Sequence, residues 1–443
     1  WITPANVSHP IWWHILVVVV PELVEFKDFA SLSLDFGMNL PPAQLVRIDN
    51  RDTLDPISNA VQPCIVIDSS NLKERLPQLK IAVSKVASVA ASARTIGVSL
   101  LNVPNSYEVF GTDEAHRRRS WDFLKAFAFH DFMRTGAKDP ERLSELPIAK
   151  AMVRAMDTVG EFTAAHLPSG KVSKFGVMGY SKLGTIVWMA GAIDPRVKVI
   201  APVAVGMTVA ARSSTQTEGT AKMLAMGLPS RDYFEFKDKW LLWELGKEYI
   251  PMFTYGGSSA YRKIQRILDA GAFSSQLSLP KMYIMAANDF CFQDNNDDVN
   301  TYFPRMVGQK GFLQLPNTKH EASLPAALPT IAAFFRGVLL NRTMPEISYS
   351  YILGTVHAAL ASAHTPHTVT LWTADAGLSR DFKMSTWYPT RLPLDGRNWF
   401  APILKAPGAS YRGAFIEFKY AYPDARHTFT TSTPIFVAPT AEI

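Results

Sequence analysis

The stretch that most constrains this chain is Lys174-Phe-Gly-Val-Met-Gly-Tyr-Ser181-Lys-Leu-Gly184. Residues 175–178 read as a short buried strand. The run breaks at Gly179, puts Ser181 in a turn, and continues into Thr185-Ile-Val-Trp-Met-Ala-Gly-Ala, which reads as a helix. A serine at the tip of a strand–turn–helix is thrust out of the sheet, and the amides that open the helix face any anion forming beside it. Glycine suits position 179 because a side chain there would collide across the turn. The usual spacing is Gly-x-Ser-x-Gly, whereas here Leu183 stands second after the serine and the glycine comes at Gly184. Taken alone, the stretch also fits an ordinary Gly-Ser turn, so its meaning depends on what else the chain supplies.

Two later stretches supply it. The strand predicted over 281–289 ends in Asp289, and the strand over 311–316 runs into Asn317-Thr-Lys-His320. Ser181, Asp289 and His320 therefore follow one another as Ser…Asp…His, each just after a predicted strand, the order in which an α/β-hydrolase gathers a triad at one sheet edge. A serine hydroxyl is a poor nucleophile until a neutral imidazole can take its proton, and a carboxylate fixes the imidazole tautomer. Asp294, Asp297 and Asp298 compete for the acid role; Asp289 is preferred because it directly ends a strand. The backbone N–H of Lys182 and one from the loop Ser69-Ser70-Asn71, after an early strand, are the candidate oxyanion donors. That loop reads equally as an ordinary polar turn. The Lys182 ammonium is a second candidate for an oxyanion or an acidic substrate group, against the plainer reading of a lysine pointing to solvent. Such chemistry needs no metal and no organic cofactor.

At 443 residues the chain is too long for one average domain, and with 47% hydrophobic residues it can bury a large core. Strands are predicted over 12–20, 63–68, 95–104 and 197–205, and helices over 77–91, 121–133, 146–167 and 324–340. Their alternation predicts a mostly parallel, doubly covered sheet over 1–343. The first strand reads as buried on both faces, with His14 as a hydrogen-bonded residue at its start. The aromatic-rich insertion 206–279 breaks the rhythm, with helical spacing at 233–245 and 261–268, and is a cap over the site or packing outside it. From 344 to 443 the pattern becomes alternating or β-branched, with strands over 368–373, 382–387, 411–420 and 428–437. This is a small all-β sandwich of the immunoglobulin or fibronectin kind.

Net charge is +6, but the basic residues are scattered, and the cluster His116-Arg117-Arg118-Arg119 reads as a solvated helix end, so nucleic acid is not an expected partner. The two cysteines, Cys64 and Cys291, exclude a disulfide framework and offer no metal spacing, and a parallel sheet would set them at opposite edges. The longest apolar run, 15–20, is too short to be a transmembrane segment. Asn6-Val-Ser8 and Asn341-Arg-Thr343 are N-glycosylation patterns, and the sequence starts at Trp1, so the expectation is a secreted or exported protein whose signal peptide is not in this chain.

Several motifs carry a resemblance. Trp12-Trp-His14, Gly179-Tyr-Ser181-Lys-Leu-Gly184, Asp194-Pro-Arg-Val-Lys198, Asn288-Asp-Phe290 with Asp294, Pro316-Asn…His320 and Leu371-Trp…Arg380-Asp-Phe382 resemble the PhoPQ-activated pathogenicity-related family, which includes the autocrine proliferation repressor proteins. The resemblance implies an α/β-hydrolase domain followed by a β-sandwich, usually in exported proteins akin to serine peptidases of the prolyl-oligopeptidase kind. It matches Ser181 to the family's Gly-x-Ser-Lys serine, Asp289 to its Asn-Asp acid and His320 to its histidine. Where the family tends to show Gly-Gly-x-Asn, this chain has Ser69-Ser70-Asn71, which implies an altered oxyanion hole. The family usually begins further upstream, so a first strand is expected to be missing.

The expected function is a secreted serine hydrolase of ester or amide bonds, with a peptide or ester substrate. The competing expectation is a signalling or binding protein on a hydrolase scaffold, its triad idle and its partner a cell-surface protein. A third is an esterase for acidic sugars that uses Lys182.

Overall fold

The computed structural model describes residues 7–37, 77–105, 108–119, 121–168, 170–207, 258–289, 299–300, 302–377, 382–394, 396–404, 408 and 411–438. Its centre is a sheet of seven strands: β1 (Ile15–Val19), β2 (Phe29–Phe36), β3 (Ile96–Val103), β4 (Lys174–Tyr180), β5 (Val197–Val203), β6 (Lys281–Ala286) and β7 (Lys310–Leu315). They lie in the order β1-β3-β2-β4-β5-β6-β7, parallel except for β1, which pairs antiparallel with β3. One antiparallel strand beside a parallel run in this crossed order makes it an α/β-hydrolase sheet.

Parallel strands covered on both faces have no solvent side, and the apolar runs of β4, β5 and β6 reflect that. Alternate residues serve two cores. Phe175, Val177 and Ile200 face one cluster with helices α3 (Glu145–His166) and α4 (Lys182–Ile193). Met178, Val199, Ala201 and Val203 face the other, with α1 (Pro77–Ala93) and α6 (Ser323–Leu339). Helices α2 (Trp121–Arg134) and α5 (Ser259–Leu268) flank the first cluster.

The C-terminal strands are antiparallel. β10 (Thr368–Ala376), β11 (Tyr388–Arg391), β13 (Tyr411–Ala421), β14 (Thr428–Ser432) and β15 (Phe436–Ala438) form one sheet. β8 (Ile347–Ile352), β9 (Thr355–Leu360) and β12 (Asn398–Pro402) form another. Trp399 of one meets Phe418 of the other edge to face at 5.1 Å. The same hydrophobic cluster continues through α6 into the parallel sheet. Along the outer side of β7, Thr431 Oγ1 donates to the Phe312 carbonyl at 2.7 Å and the Gln314 N–H donates to Ser432 Oγ at 2.7 Å. Helix α6 with the turn before it spans 20 residues apolar enough to cross a membrane by length and composition; 61% of its apolar window is buried inside the molecule.

Several expectations need correction. β1 is a half-buried edge strand, because an outermost strand has a neighbour on one side only. The central strand β2 was not predicted at all, nor were β8, β9, β11 and β12. Residues 382–387 form no strand: Phe382 and Trp387 would point to opposite faces of one, yet both are buried in a single cluster with Phe415. The run 428–437 is split into β14 and β15, with Pro434 between them. The basic cluster lies just before α2 with His116, Arg117 and Arg118 exposed, as expected, but Arg119 departs from that reading: it is buried, ion-paired with Asp113 and stacked 4.0 Å over the Phe127 ring. Cys64, Cys291, the strand at 63–68 and most of the 206–279 insertion lie outside the described residues; within the insertion, α5 falls close to the predicted 261–268.

The turn between β13 and β14 is latched onto the α/β part. His427 Nδ1 bonds Asp424 at 2.8 Å and its Nε2 donates to the Ser92 carbonyl at 3.0 Å. Arg336 of α6 lies 3.7 Å from Asp424 and bonds Glu25 at 3.1 Å. Partial burial works to raise the Asp424 carboxyl, but hydrogen bonds from His427 and Arg426 outweigh it and hold the group well below the usual carboxylate range. A lowered carboxylate stabilises the fold above its unfolded pKa of about 4, and that contribution fades as pH falls through the folded value. Asp424→Asn should therefore lower the melting temperature by a few degrees at pH 7, and the gap to the parent should narrow at pH 3. The close approach of Tyr422 to α6 gives a second expectation. A Cβ on Gly337 would lie 2.1 Å from the Tyr422 hydroxyl. Gly337→Ala should cost about 1–3 kcal/mol in denaturant unfolding, and Gly337→Ala combined with Tyr422→Leu should recover part of it.

Candidate active site

Strand β4 ends at Tyr180, and Ser181 follows with φ 56° and ψ −138°. This left-handed backbone is costly for a residue with a side chain, about 1–3 kcal/mol. Its surroundings impose it. The Ser181 N–H donates to the Val203 carbonyl at 2.9 Å, and the Gly184 N–H donates to the Ser181 carbonyl at 2.8 Å. A Cβ on Gly179 would come within 3.2 Å of the Leu183 carbonyl oxygen. The displaced glycine of the motif also has its reason. Leu183 is fully buried, while a Cβ on Gly184 would fall 2.5 Å from Val205 Cγ1. Glycine is needed where α4 passes the end of β5, and that place is one residue later than the usual spacing.

Asp289 sits three residues past the end of β6, and His320 opens a 3-10 turn, His320–Ala322, after β7. The structure brings both to Ser181. His320 Nδ1 lies 2.8 Å from Asp289 Oδ2, and His320 Nε2 lies 2.9 Å from Ser181 Oγ. A carboxylate only accepts, so Nδ1 carries the proton and Nε2 is the acceptor for the serine hydroxyl. Asp289 is fully buried, and Ser181 and His320 are 6% and 7% exposed. The Tyr180 ring packs against the imidazole at 5.3 Å and the Phe36 ring against Tyr180 at 5.4 Å. The Lys182 ammonium stands 5.2 Å over the Phe36 ring. Its side chain therefore leans toward the end of β2.

Ser69, Ser70 and Asn71 lie outside the described residues. The strand beside the elbow strand is β2, with Ser33 opposite Met178. The end of β2, where Phe36 packs against Tyr180, is thus a neighbour of the elbow that sequence reasoning missed. A Cβ on Gly37 would lie 2.3 Å from Asn102 Oδ1. The alternation Ala30, Leu32, Leu34, Phe36 followed by glycine was the available signal. His14 is, as expected, a hydrogen-bonded residue: Nδ1 lies 3.1 Å from the Asn102 carbonyl, and burial pushes its pKa down to about 4.

A serine at a strained turn, held by an imidazole that is itself held by a buried carboxylate, can attack an electrophilic carbonyl or phosphonyl centre. The N–H of Lys182 lies at the N-terminus of α4, directly after Ser181.

The chain is 23% identical over 379 residues to autocrine proliferation repressor protein A of Dictyostelium discoideum, covering 79% of this chain and 72% of that protein. Among solved structures, 2,6-dihydroxy-pseudo-oxynicotine hydrolase is matched at TM-score 0.38 and 9% identity over 75% of this chain and 69% of that one. An esterase of Pyrobaculum calidifontis is matched at TM-score 0.37 and 14% identity over 73% and 81%. The family model described as PhoPQ-activated pathogenicity-related protein matches residues 1–383, through the parallel sheet and into the antiparallel region. With that match spanning most of its length, the chain belongs to the PhoPQ-activated pathogenicity-related family.

Proposed function

We propose that this chain is a secreted serine hydrolase that cleaves ester or amide bonds, with peptides the favoured substrates, through an acyl-enzyme on Ser181. The observation that carries the reading is the unbroken hydrogen-bond chain Ser181–His320–Asp289 at a strained turn. Ser181 Oγ attacks the substrate carbonyl as its proton passes to His320 Nε2. The oxyanion is met by the Lys182 N–H and a second donor from a neighbouring loop. His320 then protonates the leaving alcohol or amine, and the carbon–heteroatom bond breaks. Water, deprotonated by His320, attacks the acyl-enzyme and releases the acid and free Ser181. Asp289 stays ionised throughout and orients the imidazole. Export is supported by the family description and by the exposed position of Asn341, whose Asn-Arg-Thr triplet follows α6. In this reading the hydrolase part spans 1–343, with 206–279 as its cap, and the β-sandwich spans 344–443.

A second reading has a specific observation in its favour. The curated relative is named as a proliferation repressor, and Ser181 and His320 are largely covered. On this reading the triad is idle and the protein signals through a cell-surface partner.

A fluorophosphonate probe separates the two. The parent protein should label on Ser181, Ser181→Ala should abolish labelling, and His320→Ala should slow it by at least about a thousandfold. Absence of labelling on a folded parent protein would leave the signalling reading.

A further inference from the structure

Asn288, immediately before the acid, and Asn317, three residues before the base, both reach into the C-terminal β region. Asn288 Nδ2 donates toward three carbonyl oxygens: Phe382 at 3.0 Å, Lys383 at 3.1 Å and Ser385 at 2.7 Å. Asn317 makes a two-way bond with one residue. Its Nδ2 donates to the Trp387 carbonyl at 2.8 Å, and its Oδ1 accepts from the Trp387 N–H at 2.8 Å.

The segment they grip is itself fixed. Phe382 and Trp387 are buried and their rings are 5.5 Å apart, with Trp387 5.2 Å from Phe415 of β13. A Cβ on Gly413 would strike Trp387 at 2.8 Å, so the backbone of β13 is bare where the indole lies on it. Ser385 Oγ donates to the Asp375 carbonyl at 2.7 Å. Ala287, next to Asn288, packs into the same cluster. The acid and base loops are also joined directly, the Asn288 N–H donating to the Thr318 carbonyl at 3.1 Å.

The Asn288 amide shows which of its groups matters. Its Oδ1 is buried and has no hydrogen-bond partner among the described residues. The flipped amide would set that oxygen against three carbonyl oxygens, so only the donor end fits here.

We propose that Asn288 and Asn317 are positioning residues, which lock the Asp289 and His320 loops onto residues 382–387, so that the C-terminal β region sets the geometry of the Ser181–His320–Asp289 chain. The inference rests on the hydrolase reading for its effect on rate, but not for its effect on His320 itself. Neither asparagine touches the reacting atoms; each acts through the residue it holds.

Asn317 has φ +50°, a backbone that glycine adopts freely, so Asn317→Gly removes the side chain without straining the turn. Asn288→Ala removes the amide, and Asn317→Asp keeps the acceptor for the Trp387 N–H. Two readouts are made on full-length protein whose fold is verified by near-UV circular dichroism. The first is the rate constant for fluorophosphonate labelling. It should fall about tenfold to a hundredfold in Asn288→Ala and Asn317→Gly, with Asn317→Asp in between. The second is the downfield proton signal of the His320 Nδ1–H bonded to Asp289, which should be broadened or lost in the first two variants. Parental labelling rates together with an unchanged downfield proton in folded variants would overturn the proposal. If the parent protein fails to label, the hydrolase reading fails, and the His320 proton still decides the positioning claim. If a substitution unfolds the protein, Asn317→Asp supplies the decision, since it removes one hydrogen bond and keeps the other.

Discussion

Everything at the candidate site depends on one imidazole being held at both ends. His320 must meet a hydroxyl on one side and a carboxylate on the other, and these come from loops after three different strands, β4, β6 and β7. Three loops agree to within a few tenths of an ångström only if the sheet beneath them is rigid. Rigidity here comes from parallel strands whose side chains fill both covering layers at close-packed density. The backbone strain at Ser181 has the same dependence. A left-handed serine persists where hydrogen bonds to the Val203 carbonyl and from the Gly184 N–H hold its backbone.

The antiparallel region is bound into this frame rather than appended to it. A single hydrophobic cluster runs from β5 and β6 through α6 to Phe418, Tyr420 and Trp399. Polar contacts fix the orientation that apolar packing leaves loose: the Asp424–His427–Ser92 latch at one side, the asparagine grips on residues 382–387 at the other. Apolar burial supplies the bulk of such an interface, and directional bonds select one geometry from those it permits.

The parts of this architecture legible in the sequence were those whose signal is local. The elbow at Ser181 announces itself through a strand, a glycine and a helix in succession, and Asp289 and His320 follow strands with plain apolar runs. β2 was missed although it lies at the centre of the sheet. It carries Ser31, Ser33 and Asp35, which resemble an exposed loop until their neighbours are known. Ser31 meets Thr95 at 2.9 Å, and Asp35 pairs with Ser99 and Lys85, residues far along the chain. A buried strand whose Ser31 and Asp35 are satisfied from a distance breaks the rule that buried parallel strands are apolar. Asn288 and Asn317 escaped for a related reason. Their partners are backbone groups, which every residue has and no sequence pattern reveals.

The hydroxyls of Thr431 and Ser432 on β7 have a consequence for how the protein is made. β7 is the last strand of its sheet among the described residues, and its outer carbonyls and amides are a template for any other extended chain. In the finished molecule two side-chain hydroxyls occupy the Phe312 carbonyl and the Gln314 amide. Those hydroxyls belong to residues among the last of this sequence to leave a ribosome. Until then a nascent sheet that is otherwise complete keeps a bare margin, and the interval between the emergence of β7 and of β14 is its period of greatest exposure to aggregation.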